Sequence, residues 1–404
     1  MSIDISARRK KDKALKLKKV FFRVFVLFCI AAAVFIVIYT HDAWYPEMEG
    51  ILKRVPESRS GLAEGNFPLS LPESETVRAK AFEGGFAIIS DTKVAAFDTN
   101  GAELLSVSHN YSNPAVSAYK NEFVTYDIGG KSFSVYRKGK LRYTKNLTEQ
   151  LLLVRVKDGL CGAVTIGSKH PAVLTVYDST GREIFSFRST KRIADIAFNH
   201  DNTGVFISLL SSKGGDLVSN VVYYSFSENG KDEKGTAIPV YESDTFETLT
   251  LSMTAVPAKT GEEMSDILIL TGDMELAVLS SELKLLKQVI YDDSGSLKSY
   301  SVNGLTAALL FNNAGGSATG EDLLILDSDY MVHKTVLPGD VYTVAAQDDF
   351  GILALTDGKI DRISLSGNDI ADIHLPGTYN NIFISGEYIF LLGYGEINRL
   401  DLPA

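Results

Sequence analysis

The chain has 404 residues, 45% hydrophobic and 22% charged, with a formal net charge of −10. Residues 1–23 carry nine Lys or Arg against two Asp, so the remainder holds about −17, a charge that nucleic acid, anionic lipid and anionic wall polymer all repel. The two cysteines, Cys29 and Cys161, exclude a disulfide framework.

In chain order, the basic run from Arg8-Arg9-Lys10-Lys11 to Lys18-Lys19 leads into an apolar stretch over residues 20–39. Roughly 20 apolar residues suffice to cross a hydrocarbon core as a helix. Arg23 lies in the first turn, where a long side chain reaches back to the phosphates. Tyr39, Trp44 and Tyr45 cluster at the far end, as in an interfacial aromatic belt. The pattern predicts a basic cytoplasmic tail over 1–19, a transmembrane helix over 20–40 and a juxtamembrane linker over 41–65. The excess of Lys and Arg before the span orients the N-terminus to the cytoplasm and all that follows to the outside. The tail is expected to bind anionic lipid, at about 1 kcal/mol per basic residue near the surface. A cleaved signal peptide fits less well, because Ala31-Ala32-Ala33 falls inside the apolar run and Thr40-His41-Asp42-Ala43 follows it. A lipoprotein signal is not supported, since Cys29 follows Phe28 in mid-span. With Cys29 in the membrane, the exported part has no disulfide, which suits a bacterial surface better than a eukaryotic secretory one. The sequons at Asn110 and Asn146 are then chance matches.

Pro46, Pro56, Gly61 and Gly65 mark the linker, with a short helix over 48–55. After residue 65 the pattern has period two, with short apolar runs bounded by Gly, Asn, Asp and Ser. The runs recur in sets of four, beginning near residues 77, 115, 152, 193, 247, 298, 341 and 381. The third set illustrates the spacing, with strands expected over 152–156, 160–166, 172–178 and 183–187. A turn before the fourth strand recurs as Asp98-Thr99-Asn100-Gly101, Arg137-Lys138-Gly139-Lys140, Asp178-Ser179-Thr180-Gly181, Ser227-Glu228-Asn229-Gly230 and Ser364-Leu365-Ser366-Gly367. Glycine there supplies the positive φ of a tight hairpin. Four-stranded antiparallel units at this period predict an all-β fold, a β-propeller of four-stranded blades. The reading is eight blades, with seven the alternative and a pair of sandwiches third. The last set, with strands over 381–385, 387–392 and 396–402, lacks a fourth strand. Residues 66–71 are placed to supply it, so the propeller domain is expected over 66–404.

The segment Tyr177-Asp178-Ser179-Thr180-Gly181-Arg182-Glu183 resembles the turns of pyrroloquinoline-quinone-like and WD40-like repeat propellers of bacterial surfaces. The whole layout is similar to an uncharacterised family of Gram-positive bacterial single-pass membrane proteins with an extracytoplasmic propeller. The resemblance departs from the quinoproteins at one point: the single Trp, Trp44, is at the membrane, so the Trp that ends each quinoprotein repeat is missing. No quinone cofactor is implied.

Catalytic motifs are missing from the chain. His41, His109, His170, His200, His333 and His374 form no close pair and no H-E-x-x-H array. Neither a G-x-S-x-G elbow nor a phosphate loop occurs. Asp292-Asp293, Asp327-Ser328-Asp329 and Asp348-Asp349 read as turns at strand ends instead of calcium loops. Cys161, in Leu160-Cys161-Gly162-Ala163-Val164, reads as a small buried hydrophobe. No catalytic, cofactor-binding or metal residue is assigned. Polar insertions over 211–220 and 312–322 fall between second and third strands, on the face that carries the links between blades; 257–266 falls on the opposite face. The two on the link face are expected to border a recognition surface. The functional expectation is a membrane-anchored extracytoplasmic module that binds a protein or glycan of the bacterial cell envelope, without nucleic acid. The alternatives are an envelope glycan hydrolase or lyase with its site at the channel, or a sensor working through a membrane partner.

Overall fold

Alternating apolar runs separated by turn residues close here into eight antiparallel sheets of four strands each. The computed structural model describes residues 66–71, 77–227, 230, 236–260, 263–291, 294–312, 320–347 and 350–401. These fall within Ser58–Ala404, one of the two units into which the chain divides. The predicted tail, membrane helix and linker over 1–65 lie outside the described residues. Among the described residues no helix is long and apolar enough to cross a membrane.

The sheets are the blades of an eight-bladed propeller. Their inner strands are Arg78–Phe82, Pro114–Tyr119, Leu151–Lys157, Arg192–Phe198, Thr250–Thr260, Ser296–Asn303, Val341–Gln347 and Tyr379–Ser385, in blades 1 to 8. In blades 1 to 7 the second, third and outer strands follow in chain order. Blade 8 takes its outer strand from the other end of the chain: Leu69–Ser70 pairs with Ile397 and Glu396, and Leu71 N–H donates to the Gly395 carbonyl at 2.8 Å. Four phenylalanines fill the closing seam. Phe86 of blade 1 is fully buried, with ring centroids 4.7 Å from Phe390 and 5.5 Å from Phe383 of blade 8, and Phe67 lies 6.0 Å from Phe390. Arg399 of blade 8 fastens the same seam from outside, donating to the Thr99 carbonyl of blade 1 at 2.6 Å.

The turn before the outer strand follows one hydrogen-bonding rule in five blades. The first residue's carbonyl accepts the fourth residue's N–H, and its own N–H donates to the fifth residue's carbonyl. Asp98, Asp178, Ser280, Asp327 and Ser364 hold the first position. The fourth residue is left-handed, with φ of 79° at Gly101, 80° at Gly181 and 85° at Gly367. Leu283 and Tyr330 adopt the same conformation without being glycine, at φ 63° and 62°. A left-handed leucine costs about 1–2 kcal/mol. Leu283, only 3% exposed, packs with Leu268, Leu270 and Leu279 in the core between blades 4 and 5. That burial is worth about 1.5–3 kcal/mol and offsets the strain. Two turns differ from the expected form. In Arg137-Lys138-Gly139-Lys140, Arg137 pairs directly with Lys140, so Lys138 and Gly139, both at positive φ, make a two-residue hairpin. Gly230 N–H reaches the Ser227 carbonyl, but the outer strand of that blade starts only at Tyr241.

Two insertions read as loops are strand extensions. In blade 4 the second and third strands, Gly204–Lys213 and Asp216–Ser225, stay paired to Lys213↔Asp216 around Gly214-Gly215. Both glycines have positive φ, the conformation a two-residue hairpin turn demands. In blade 5, Thr250–Thr260 pairs with Glu263–Gly272 through Pro257↔Asp266. Polar composition masked the pairing, because the tips of both hairpins project beyond the apolar cores and only scattered buried residues, Val218 and Asp266 among them, mark their flanks. In blade 6 the strands run to Asn312 and resume at Glu321; residues 313–319 lie outside the described residues.

Candidate functional site

Strand direction alternates within each blade. The links between blades therefore share one face, the link face, with the connections from second to third strands. Inner strands start at that face. In six blades the pairing of inner and second strands skips one inner residue near this start: Leu152, Ala194, Leu251, Lys298, Tyr342 and Asn380. In blades 1 and 2 the ladder is unbroken. An extra residue of this kind leaves the ladder, bends its strand and re-aims its side chain.

In blades 6, 7 and 8 the skipped residues converge. Lys298, Tyr342 and Asn380 line one cavity of about 360 Å³ with Asp340, Thr378, Tyr379 and Tyr394. Tyr394 stands 79% exposed at its rim, and Tyr379 is 1% exposed at its wall. The Tyr379 hydroxyl accepts a hydrogen bond from Asn398 Nδ2 at 2.9 Å, which holds the ring in place. Lys298 Nζ donates to Glu321 Oε1 at 2.6 Å and Asp340 Oδ1 at 2.7 Å. The hydrogen bond from Lys298 holds the Asp340 carboxyl below the usual carboxylate range. Aromatic faces beside an amide and a lysine shared by two carboxylates suit recognition of a ligand that is part apolar and part hydrogen-bonding.

A second cavity, of about 390 Å³, opens on the same face between blades 2 and 3. Thr165, Thr175 and Arg188 line it from blade 3, Glu149 from the link, and His170 from the connection between second and third strands.

Other residues singled out in sequence have structural partners. Cys161 is fully buried in the core between blades 2 and 3, and burial pushes its thiol up, away from the reactive thiolate. Asp327 forms the expected turn, accepting the N–H groups of Asp329 and Met331 and lying 3.0 Å from His333 Nε2. His109 Nε2 is 3.0 Å from the Ser90 carbonyl. Asp292-Asp293, Asp348-Asp349 and His41 lie outside the described residues. On the opposite face, the blade 5 hairpin brings Asp266, 3% exposed, to His200 of blade 4, with Nδ1 and Oδ2 2.8 Å apart. Among the described residues no three His, Cys, Asp or Glu are grouped to hold a metal.

Sequence reasoning missed the bulged residues. Each is one extra residue in a strand of 7 to 11 residues, and neither period nor composition registers it.

Residues 69–391 match the family of unknown function DUF5711. The chain belongs to this family. No curated protein matches the DUF5711 chain. Its fold is similar to Saccharomyces cerevisiae Sqt1, at 13% identity and a TM-score of 0.57 over 86% of this chain and 100% of that one. BamB from Moraxella catarrhalis gives 12%, 0.51, 84% and 97% for the same measures. Chaetomium thermophilum Sqt1, bound to the N-terminus of the ribosomal protein L10, gives 12%, 0.54, 83% and 98%. At these identities the likeness is one of fold.

Proposed function

We propose that this DUF5711 chain is a membrane-anchored binding module of the Gram-positive cell envelope, whose propeller presents its link face to a protein partner. The observation that carries the reading is the convergence of three bulged inner strands on one aromatic and polar cavity at the channel mouth. Bulges gather where a sheet edge is re-aimed for function. A regular ladder would have held Tyr342 and Asn380 within the sheet. The likeness to a propeller that holds the N-terminus of a ribosomal protein is in keeping with a peptide or protein segment at this place. The apolar run over 20–39 behind a basic tail supports the anchor and an outward-facing propeller.

The test is extraction of the full chain in mild detergent, identification of the proteins that travel with it, and reconstitution of each with purified chain. A partner should bind directly and lose at least tenfold in affinity with Tyr342→Ala plus Tyr394→Ala. Unchanged affinity in that double variant would place the binding surface elsewhere and defeat the reading. Protease accessibility of the propeller from the outside of intact cells tests the topology.

A further inference from the structure

The acidic propeller has a basic interior. Within the ring, the inner strands carry Arg78, Lys80, Arg155, Lys157, Arg192 and Lys298, with Lys259 on the blade 5 extension, against a single acid, Asp195. Such segregation runs against the charge of the surrounding domain. A cleft lined by one sign and walled by protein focuses the field of those charges.

Most of these cations have partners. Arg155 Nε lies 3.0 Å from Asp195 Oδ1, and Lys157 Nζ donates to the carbonyls of Phe198 and Asn199 at 2.9 and 3.0 Å. Asp195 is saturated, since its oxygens also accept the N–H groups of Ile196 at 2.9 Å and Met253 at 3.0 Å. Arg78 donates to the Pro114 carbonyl at 2.7 Å. Lys80 has no hydrogen-bond or ion-pair partner among the described residues. It stands two residues from Arg78, on the same face of its strand, while Ala79 packs into the closing seam on the other face. Lys80 is exposed, yet desolvation is the main cause that pushes its ammonium below the usual lysine range, with Arg155 the second. The two observations agree if the solvent it meets is the narrow lumen. Arg155 belongs to blade 3 and Lys80 to blade 1, so they act on each other past the small side chains of the intervening strand, Pro114–Tyr119.

We propose that the lumen binds an oxyanion, a carboxylate or phosphate group, held by Lys80 and Arg155 and drawn in past Arg78 at the link-face mouth. The ligand supplies the one charge that this sector lacks. Its source is either a free small anion or an acidic segment of a protein that docks on the link face.

Calorimetric titration of the detergent-solubilised full chain tests this, with inorganic phosphate, citrate and a hexaglutamate peptide as separate probes. At least one should bind, and Lys80→Met should weaken it tenfold or more. Lys80→Glu should abolish it without lowering the melting temperature, because the introduced carboxylate fills the site from within. Lys213→Met, on the exposed blade 4 hairpin, should bind as the wild type does. Binding of phosphate or citrate identifies a free anion; binding of the peptide alone identifies a partner's acidic segment. No binding of any probe, or wild-type affinity in Lys80→Met, overturns the proposal. Because phosphate can be titrated in Tyr394→Ala, failure of the mouth as a partner site is read separately.

Discussion

Two sectors of the same ring treat the channel differently. In blades 1 to 3, with Asp195 of blade 4, charged side chains reach the lumen by strand alternation, and all but Lys80 are tied to groups of neighbouring strands. In blades 6 to 8, side chains reach the mouth because one residue per inner strand has left the ladder. The frame is common to both, so the contrast shows how a repeat fold separates structural from recognition duties. Alternation can only send a residue to one side of its sheet or the other. A bulge turns a residue toward the rim at little cost to the blade beneath.

The contrast predicts opposite responses to mutation. The largest effect is expected at Asp195, 1% exposed. Asp195→Ala strands Arg155 and the Met253 N–H, and should lower stability by about 3 kcal/mol in urea unfolding. A loss below about 1 kcal/mol would mean that the lumen charges are as dispensable as those of the mouth. Deleting Tyr342 restores in blade 7 the unbroken ladder of blade 1. The expected loss is about 1–2 kcal/mol, with the fold kept by circular dichroism and partner binding lost.

Lys298→Met leaves Glu321 without its cation and should cost about 1 kcal/mol, because Lys298 retains some solvent. The same variant carries a pH signature. Lys298 depresses Asp340, so the stability from their contact is present above the ordinary carboxylate pKa and is lost as pH falls through the depressed one. Comparing melting temperatures through that acid range should show a shallower decline in Lys298→Met than in the wild type. The smallest effect on stability is expected at Tyr394, 79% exposed. Tyr394→Ala should change stability by no more than about 0.5 kcal/mol while weakening the partner severalfold. Reversal of this pairing, with stability hit and binding spared, would make the mouth a structural element.

Much of the fold was legible in the sequence because its determinants are local. Asp178 and Gly181 announce their turn: one carboxylate accepts the N–H groups of Thr180 and Arg182, and the glycine takes the left-handed residue. Leu283 makes the same turn unannounced, since its strained conformation is held by burial between blades. The extended hairpins of blades 4 and 5 were hidden for the converse reason: their tips are polar and largely exposed.

The candidate site was almost wholly illegible. Lys298, Tyr342 and Asn380 belong to three different repeats and meet only at the mouth. Lys80 and Arg155 are separated by an entire blade.

What the sequence determined by itself was the period-two strands, their grouping in fours and the turn chemistry that sets most outer-strand registers. Those follow from backbone preferences and apolar alternation over a few residues. The tertiary structure alone decided which residues face the channel, which leave the ladder at its mouth, and that an acidic chain encloses a basic lumen. Ring closure places inner strands from distant repeats around one axis, and no local interaction encodes which charges then share that space.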